Sequence, residues 1–301
     1  MAFPSKGERC STSARGVTMM AVAAVLAPFP DALAKILTED FGITAVGIAL
    51  TRFGLQSLTM FPLILALNGR KALIIKNPGL NFLRGVLLAV ASITFFAALK
   101  VMPLADAVAI FFIQPVIGVL LGIIVLREKP TQNCITAILA GLCGTILIIR
   151  PNFIAAGILA ILPIICALCF TIYLILGKYL SKENSSLIVH FHTGLGATFF
   201  IGLGILVENL INPSEIQLTA YLNSSTWVYL VLIGLSSSLI HLLYIMAYRL
   251  APVSTLAPIS YIEIVSATGF GIVFFAHIPD PLQILGMAII AASGLILLWA
   301  A

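Results

Sequence analysis

Long apolar stretches separated by short polar connecting segments fill almost the whole of this 301-residue chain. A hydrocarbon core about 30 Å thick needs roughly 20 apolar residues for each helical crossing. The stretches predict ten membrane-spanning helices, at about 17–36, 43–67, 80–99, 104–126, 133–149, 155–178, 187–208, 226–247, 253–276 and 282–300. We therefore expect an all-α polytopic membrane protein in a lipid bilayer, without a separate soluble or nucleic-acid-binding domain.

The positions of the basic residues predict the orientation of these helices. The formal net charge is +5, but in a polytopic chain the distribution of Lys and Arg between the loops matters more than their sum. With a cytoplasmic N-terminus, twelve basic residues, Arg84 among them, fall on the inner side, and only Lys35, Lys100 and Arg150 fall on the outer side. Both termini are therefore predicted to be cytoplasmic.

An internal repeat relates the two halves of the chain. Residues 98–130 align with residues 247–279 at one fixed offset. The identical pairs are Ala98/Ala247, Pro103/Pro252, Ile110/Ile259, Ile113/Ile262, Gly122/Gly271, Ile123/Ile272 and Pro130/Pro279. Because five helices are an odd number, the second copy must cross the membrane in the opposite sense, as in the inverted repeats of many secondary transporters. We expect two five-helix units, at 17–151 and 155–300. These units should pack together in two alternative arrangements, one open to each face of the membrane.

Ionisable side chains inside membrane helices are costly, so each is a candidate functional group. A rise of 1.5 Å per residue puts Glu263 and its repeat counterpart Gln114 near the bilayer midplane. Arg52 lies about 14 Å from the outer surface and Asp31 about 9 Å from it. We expect Arg52 and Asp31 to form an ion pair, which either locks two helices or takes part in binding or coupling.

Tyr and His residues extend the set of candidates for substrate binding or coupling. His241 and Tyr244 lie on one face of the eighth predicted helix, and Tyr261 lies two residues before Glu263 in the ninth. His190 and His192 point in different directions on a helix and cannot simply share a metal ion. We interpret both as solvated histidines near the inner interface.

Three further groups have structural interpretations. Pro28 and Pro30 remove amide donors and should break the first helix, either as a packed kink or beside a cavity. Asp106 follows Pro103 and should cap a helix start. Glu128 stands between two basic residues at a helix end, which favours a surface-paired charge.

The segment at residues 84–151 resembles an EamA repeat of the drug/metabolite transporter superfamily, including Pro-Leu-Ala-Asp-Ala at a helix start and Arg-Glu at the end of the fourth helix. The second half, with YIEIVSATGFGIVFFAHIPDP, is similar to the bacterial branch that includes riboflavin and S-adenosylmethionine importers. The resemblance implies ten helices, a central cavity and no ATPase, and it raises a gate contact as a second role for Glu128. His277 departs from the family, which usually carries an acid there.

These observations predict a secondary transporter in a bacterial inner membrane that moves a small metabolite by alternating access. We favour a riboflavin-like vitamin, for which the aromatic candidates are Phe111, Phe112, Tyr173, Tyr244, Tyr261 and Phe270. The alternative is S-adenosylmethionine or an amino-acid-type metabolite, because a sulfonium cation suits Glu263 or Asp31. An intramembrane enzyme is a remote alternative, without a supporting nucleophile motif.

We expect no catalytic residue, metal or cofactor. The predicted partners are a small-molecule substrate and the lipid bilayer, and a homodimer is an open option.

Overall fold

The computed structural model describes residues 6–69, 74–101, 110–149, 157–211, 224–275 and 279–300, which are almost entirely helical. Within these residues the helices, numbered in chain order, are α1 (Lys6–Leu26), α2 (Pro28–Glu39), α3 (Ala45–Asn68), α4 (Pro78–Val101), α5 (Gln114–Leu126), α6 (Gln132–Ile149), α7 (Ile161–Leu180), α8 (Ser186–Ile211), α9 (Ser224–Leu250), α10 (Val253–Leu256), α11 (Ile262–Phe275) and α12 (Pro281–Ala300). Two 3-10 turns, Gly157–Ala160 and Ala257–Tyr261, precede α7 and join α10 to α11. Asp106 and His277 lie outside the described residues.

Seven helical segments of the described residues are long and apolar enough to cross a membrane. They are Ala14–Glu39, Ala45–Leu67, Pro78–Phe95, Ile158–Leu180, Ser186–Leu210, Ser225–Leu250 and Val253–Phe274. Three shorter apolar helices, Gln114–Leu126, Gln132–Ile148 and Pro281–Ser293, fall within other predicted crossings. The predicted all-α polytopic membrane protein is confirmed, whereas the count of ten crossings stays a prediction.

The two prolines break the first crossing, as predicted: α1 ends at Leu26 and α2 begins at Pro28. A proline has no N–H group, so Pro28 leaves the carbonyl of Ala24 without its helical donor. The hydroxyl of Ser266 in α11 donates a hydrogen bond to this carbonyl at 3.1 Å. A neighbouring helix thus satisfies the freed carbonyl, which is what an apolar environment requires.

Each helix packs against several others, and the closest pairs are not neighbours in sequence. Helix α4 packs against α7 and α8, α9 packs against α1 and α3, and α6 packs along α12. The α6–α12 contact is close because two glycines face each other. A Cβ atom on Gly144 would lie 2.8 Å from the carbonyl oxygen of Gly286.

Polar residues are enclosed while large apolar side chains face outward. The exposed side chains include many Leu, Ile, Val and Phe residues along α5, α8 and α9. The buried polar residues include Gln56, Asn81, Arg84, Gln114, Thr171, His190, Thr193, Ser238 and His241. Because lipid tails offer no hydrogen bonds, this distribution suits a bilayer and places the candidate site between α3, α4, α7, α8 and α9.

Candidate functional site

Three side chains from three helices form a hydrogen-bonded chain in the interior. Nη2 of Arg52 (α3) lies 2.5 Å from Nε2 of His241 (α9). Nδ1 of the same imidazole lies 2.9 Å from the hydroxyl oxygen of Tyr173 (α7). His241 and Tyr173 are buried, and Arg52 is half-buried. The contacts tie α3, α9 and α7 together at one level.

The chemistry of arginine fixes the direction of the hydrogen bonds in this chain. A guanidinium donates and cannot accept, so Nε2 of His241 must be the acceptor. The imidazole is then neutral with its proton on Nδ1, and that N–H donates to the Tyr173 oxygen. The phenolic proton of Tyr173 and Nε–H of Arg52 have no acceptor among the described residues. Both groups suit an anionic oxygen such as a carboxylate.

Two carboxylates form the other side of the site. The hydroxyl of Tyr244, one turn beyond His241 on α9, donates to Oε2 of Glu263 (α11) across 3.4 Å. Asp31, in the first turn of α2, is exposed and lies within Coulombic range of both Glu263 and Arg52. We call the following six residues the central polar cluster: Asp31, Arg52, Tyr173, His241, Tyr244 and Glu263.

The predicted ion pair between Arg52 and Asp31 is not formed in this structure. Among the described residues, neither Asp31 nor Glu263 has a Lys or Arg nitrogen within 4.0 Å. The reason lies in the packing, because α3 lies along α9, whereas α2 packs mainly on α9 and α11. The guanidinium therefore meets the imidazole of His241 instead of a carboxylate.

An aromatic side chain that the sequence analysis missed borders the cluster. The ring of Phe170 (α7) lies 5.5 Å from that of Tyr173, and 6.2 Å from those of His241 and Tyr244. Phe111, a predicted aromatic candidate, lies 5.9 Å from Phe170 on its other side. The i, i+3 spacing of residues 170 and 173 on a helix was the available signal.

Two predicted site residues lie outside the central polar cluster. Tyr261 is fully buried, stacks on Phe112 with ring centroids 5.8 Å apart, and donates to the Phe112 carbonyl at 3.4 Å. Gln114, the first residue of α5, is buried and lies within hydrogen-bonding reach of Tyr248, one turn beyond Tyr244. The structure thus places Tyr261 in packing contacts, and its role in transport stays a prediction. Among the other aromatic candidates, Phe270 packs on Phe29 and Phe274.

A second polar group lies beside the cluster, in residues that were predicted to be at the membrane surface. The interpretation of His190 as a solvated histidine is wrong, since the residue is fully buried. Gln56 donates to the His190 carbonyl at 2.8 Å, and Nε2 of His190 lies 3.0 Å from the Ser238 hydroxyl. Arg84, assigned by sequence to the inner surface, is also fully buried and donates to Thr193.

Glu128 holds three chain segments together at one end of the protein. Oε1 accepts hydrogen bonds from Nζ of Lys178 at 2.8 Å and from the Val253 amide at 3.1 Å, and Oε2 accepts from the Ser254 amide at 3.0 Å. Arg127 has a left-handed backbone with φ of 55°, which ends α5 and turns Glu128 toward α10. We call Glu128, Lys178, Val253 and Ser254 the latch.

The latch explains how the backbone amides at the start of α10 find hydrogen-bond acceptors. The cap residue Pro252 has no side-chain hydrogen bond to offer, and the first amides of a helix lack intrahelical partners. The Glu128 carboxylate supplies the missing acceptor from the segment that follows α5 and interacts favourably with the positive end of the helix dipole. The interpretation of Glu128 as a surface-paired charge is therefore wrong, because its partners come from α7 and α10.

The latch should persist throughout the physiological pH range. Burial by itself raises the pKa of Glu128, but hydrogen bonds from Lys178, Ser254 and Val253 outweigh burial and lower this pKa below its ordinary value. A carboxylate with a lowered folded-state pKa contributes its full stability above the unfolded-state value, and loses it as the pH falls through the folded-state value. Protonation therefore does not open the latch between pH 5 and 8.

We expect Glu128→Gln to open the latch, since it removes the charge from three hydrogen bonds. Cys134, which is buried and whose thiol donates to the Ser254 carbonyl, reports on this opening. In a variant with Cys134 as its single cysteine, maleimide labelling should become roughly tenfold faster, the equivalent of losing about 1.4 kcal/mol from charge-assisted hydrogen bonds. Glu183→Gln, at an exposed carboxylate, is the matched control, and equal labelling rates in the two variants would contradict the assignment.

Taken together, the fold and the enclosed ionisable groups define a multi-pass membrane protein with a polar interior. The chain belongs to the EamA-like transporter family, which matches it twice, over residues 14–150 and 155–299. The family resemblance predicted from the sequence is thus confirmed.

Curated relatives resemble the chain over most of their length, at low identity. An S-adenosylmethionine uptake transporter of Rickettsia prowazekii (strain Madrid E) is 22% identical over 96% of this chain and 94% of its own. A riboflavin transporter of Brucella anthropi is 24% identical over 85% and 89%, and a pseudopaline exporter of Pseudomonas aeruginosa is 24% identical over 90% and 92%. The family and these names indicate a transporter of small molecules rather than an enzyme.

A solved crystal structure shares the fold. It superposes with a TM-score of 0.76 over 97% of this chain and 99% of the other, at 16% identity. At that identity the likeness concerns the fold alone.

Proposed function

We propose that the chain is a secondary transporter that carries a small zwitterionic metabolite, of the S-adenosylmethionine or amino-acid type, across a bacterial inner membrane. The observation that carries the proposal is the separation of charges in the central polar cluster. Arg52 and Tyr173 offer donors with no carboxylate in contact, while Asp31 and Glu263 have no cation within 4.0 Å among the described residues. A substrate with a carboxylate and a cationic group compensates both sides.

The aromatic side chains beside the cluster extend this argument to S-adenosylmethionine. Its adenine is a flat ring system, and Phe170 and Tyr244 present rings next to His241. Aromatic rings stack on one another with centroids about 4.5–7 Å apart. Its sulfonium and ammonium groups suit the two carboxylates, and its carboxylate suits Arg52.

Alternating access between two inverted five-helix units is the mechanism that we propose. The pairing of α4 with α7 and α8 has a counterpart in the pairing of α9 with α1 and α3, which two related units of opposite orientation are expected to give. The residues at 17–151 and 155–300 would be these units. With no phosphate-binding glycine motif in the sequence, a gradient or exchange must supply the energy.

The orientation proposed for the chain puts both termini in the cytoplasm. Moving Arg84 from the inner surface to the interior leaves eleven basic residues inside against three outside, so the bias remains. A reporter fused after Ala301 that is active only outside the cell would contradict this orientation.

A riboflavin-like vitamin, the substrate favoured by the sequence, is the second candidate. The rings of Phe111, Phe170, Tyr173 and Tyr244 support it, since they lie in one group. A neutral isoalloxazine, however, brings no opposite charge to Arg52 or to the two carboxylates. The geometry therefore favours the zwitterion.

Counterflow into proteoliposomes tests the proposal. Purified protein should exchange internal S-adenosylmethionine for labelled S-adenosylmethionine outside. S-adenosylhomocysteine, which lacks the sulfonium charge, and decarboxylated S-adenosylmethionine, which lacks the carboxylate, should each compete at least about tenfold less well, as expected for losing one charge-assisted contact. Stronger competition by riboflavin than by either analogue would favour the second candidate, and no counterflow of any zwitterion would refute the first.

A further inference from the structure

The side chain of Arg84 occupies a closely fitted and fully buried position. Its Nε donates to the backbone carbonyl of Tyr173 at 3.0 Å, and Nη1 donates to the Thr193 hydroxyl. The guanidinium carbon lies 3.9 Å from the centroid of the Tyr173 ring. The space for it exists because residue 177 is glycine: a Cβ atom there would lie 3.0 Å from Nε and from Nη2.

All of these contacts are neutral, so within the part of the chain that the structure describes the charge of Arg84 has no counter-ion. No carboxylate of the described residues lies within 4.0 Å of Arg84, and its Nη2 atom is buried with no hydrogen-bond partner. A buried charge without an opposite charge destabilises a protein strongly. Neutral hydrogen bonds and the aromatic face offset only part of this cost.

The helix packing around Arg84 does not require the charge. The repeat offset that aligns Ala98 with Ala247 also aligns Gly85 with Gly234 and Arg84 with Ile233. Both glycines lie at close helix contacts: a Cβ atom on Gly85 would be 2.7 Å from α8, and one on Gly234 would be 2.7 Å from α3. Ile233 is buried at the corresponding position, so an apolar residue serves the same packing.

We propose that Arg84 is a second binding site for the carboxylate of the substrate, used when the protein opens toward the face where the latch lies. The proposal rests on the proposed transport of a carboxylate-bearing metabolite. Tyr173 stands between the two arginines: its ring and carbonyl contact Arg84, and its hydroxyl meets His241, which binds Arg52. A carboxylate that leaves Arg52 thus meets a second cation on the other side of one aromatic side chain.

The position of Arg84 along its helix agrees with transfer of the carboxylate from Arg52 to Arg84 as the protein opens toward the latch. It lies six residues from Pro78, or about 9 Å from the end of α4, and that end meets the segment after α7 through Lys76 and Asn184. The latch closes the same face, since Lys178 belongs to the last turn of α7. Releasing Glu128 from Lys178 frees the end of the helix that covers Arg84 at Gly177.

Counterflow of labelled S-adenosylmethionine in proteoliposomes with Arg84→Lys and Arg84→Gln tests the inference. The glutamine variant should lower the rate at least about tenfold, the loss of one charge-assisted contact, and the lysine variant should keep at least about a third of it because the cation remains. Affinity for S-adenosylmethionine in detergent should stay within about threefold in Arg84→Gln, because Arg52 still binds the carboxylate. Equal losses in the lysine and glutamine variants, or a wild-type rate in Arg84→Gln, overturn the inference.

Gly177→Ala keeps the charge and displaces the guanidinium, so it decides the question if the Arg84 variants do not fold. It should lower counterflow about tenfold, whereas Gly202→Ala, at a glycine with open space around it, should match the wild type. An unchanged rate in Gly177→Ala overturns the inference. If the wild-type protein carries no zwitterion, the proposed function is refuted as well. If the wild-type protein is active and substitution of Arg84 leaves its counterflow rate unchanged, this inference alone is refuted.

Discussion

Arg52→Ala is expected to lower S-adenosylmethionine transport by at least about 100-fold, which corresponds to about 3 kcal/mol. Two effects combine in this loss. The substrate carboxylate loses its guanidinium, and Nε2 of the buried His241 loses the donor that now lies 2.5 Å away. Losing a hydrogen bond to a charged group typically costs roughly 1.5–3 kcal/mol. Initial rates of counterflow at equal amounts of reconstituted protein measure the effect.

Two controls separate this prediction from a general loss of structure. Arg249→Ala removes an exposed arginine in the last turn of α9 and should transport at the wild-type rate. The double variant Arg52→Gln with Asp31→Asn neutralises both members of the ion pair that the sequence predicted. Because the structure pairs Arg52 with His241, this variant should stay inactive, and recovery of transport would show that Arg52 acts through Asp31.

The features that follow from distance along a helix could be predicted from the sequence. Apolar length predicts membrane helices because each residue advances a fixed 1.5 Å, and Pro28 breaks a helix wherever it occurs inside one. The same counting brought Arg52 and Glu263 to similar depths, with Asp31 nearer the outer surface, and the structure gathers all three in the central polar cluster. Whether they bind substrate stays a proposal.

The features that depend on rotation about the helix axes could not be predicted in this way. Depth does not tell which neighbour an arginine faces, so the sequence paired Arg52 with Asp31 rather than with His241. Glu128 illustrates the same gap, since its partners at residues 178, 253 and 254 are distant in sequence.

Arg84 shows a signal that was present in the sequence but not used. The fourth helix begins at Pro78, and proline is favoured at the first position of a helix. Starting the helix there places Arg84 almost two turns inside it. Placing the start by apolar length alone leaves the arginine at the membrane surface, and that assignment is wrong.

Glu263→Gln is the second variant with a large expected effect, because it removes one of two carboxylates that face the cationic side of the substrate. The amide keeps the size of the side chain and an oxygen for the hydrogen bond that the Tyr244 hydroxyl now donates at 3.4 Å. The fold should therefore be preserved. The affinity for S-adenosylmethionine should fall about 10- to 150-fold, the equivalent of about 1.5–3 kcal/mol for a contact with a charged group, while the affinity for S-adenosylhomocysteine changes less.

Comparing exchange with net uptake shows what Glu263 does. Loss of both indicates the substrate contact that we expect, whereas loss of net uptake with retained exchange would assign the carboxylate to proton coupling instead. Glu208→Gln makes the same chemical change at an exposed position of α8 and should leave both activities at the wild-type level. Wild-type kinetics in Glu263→Gln from pH 5 to 8 would exclude both roles, and the cationic group of the substrate would then have to rely on Asp31.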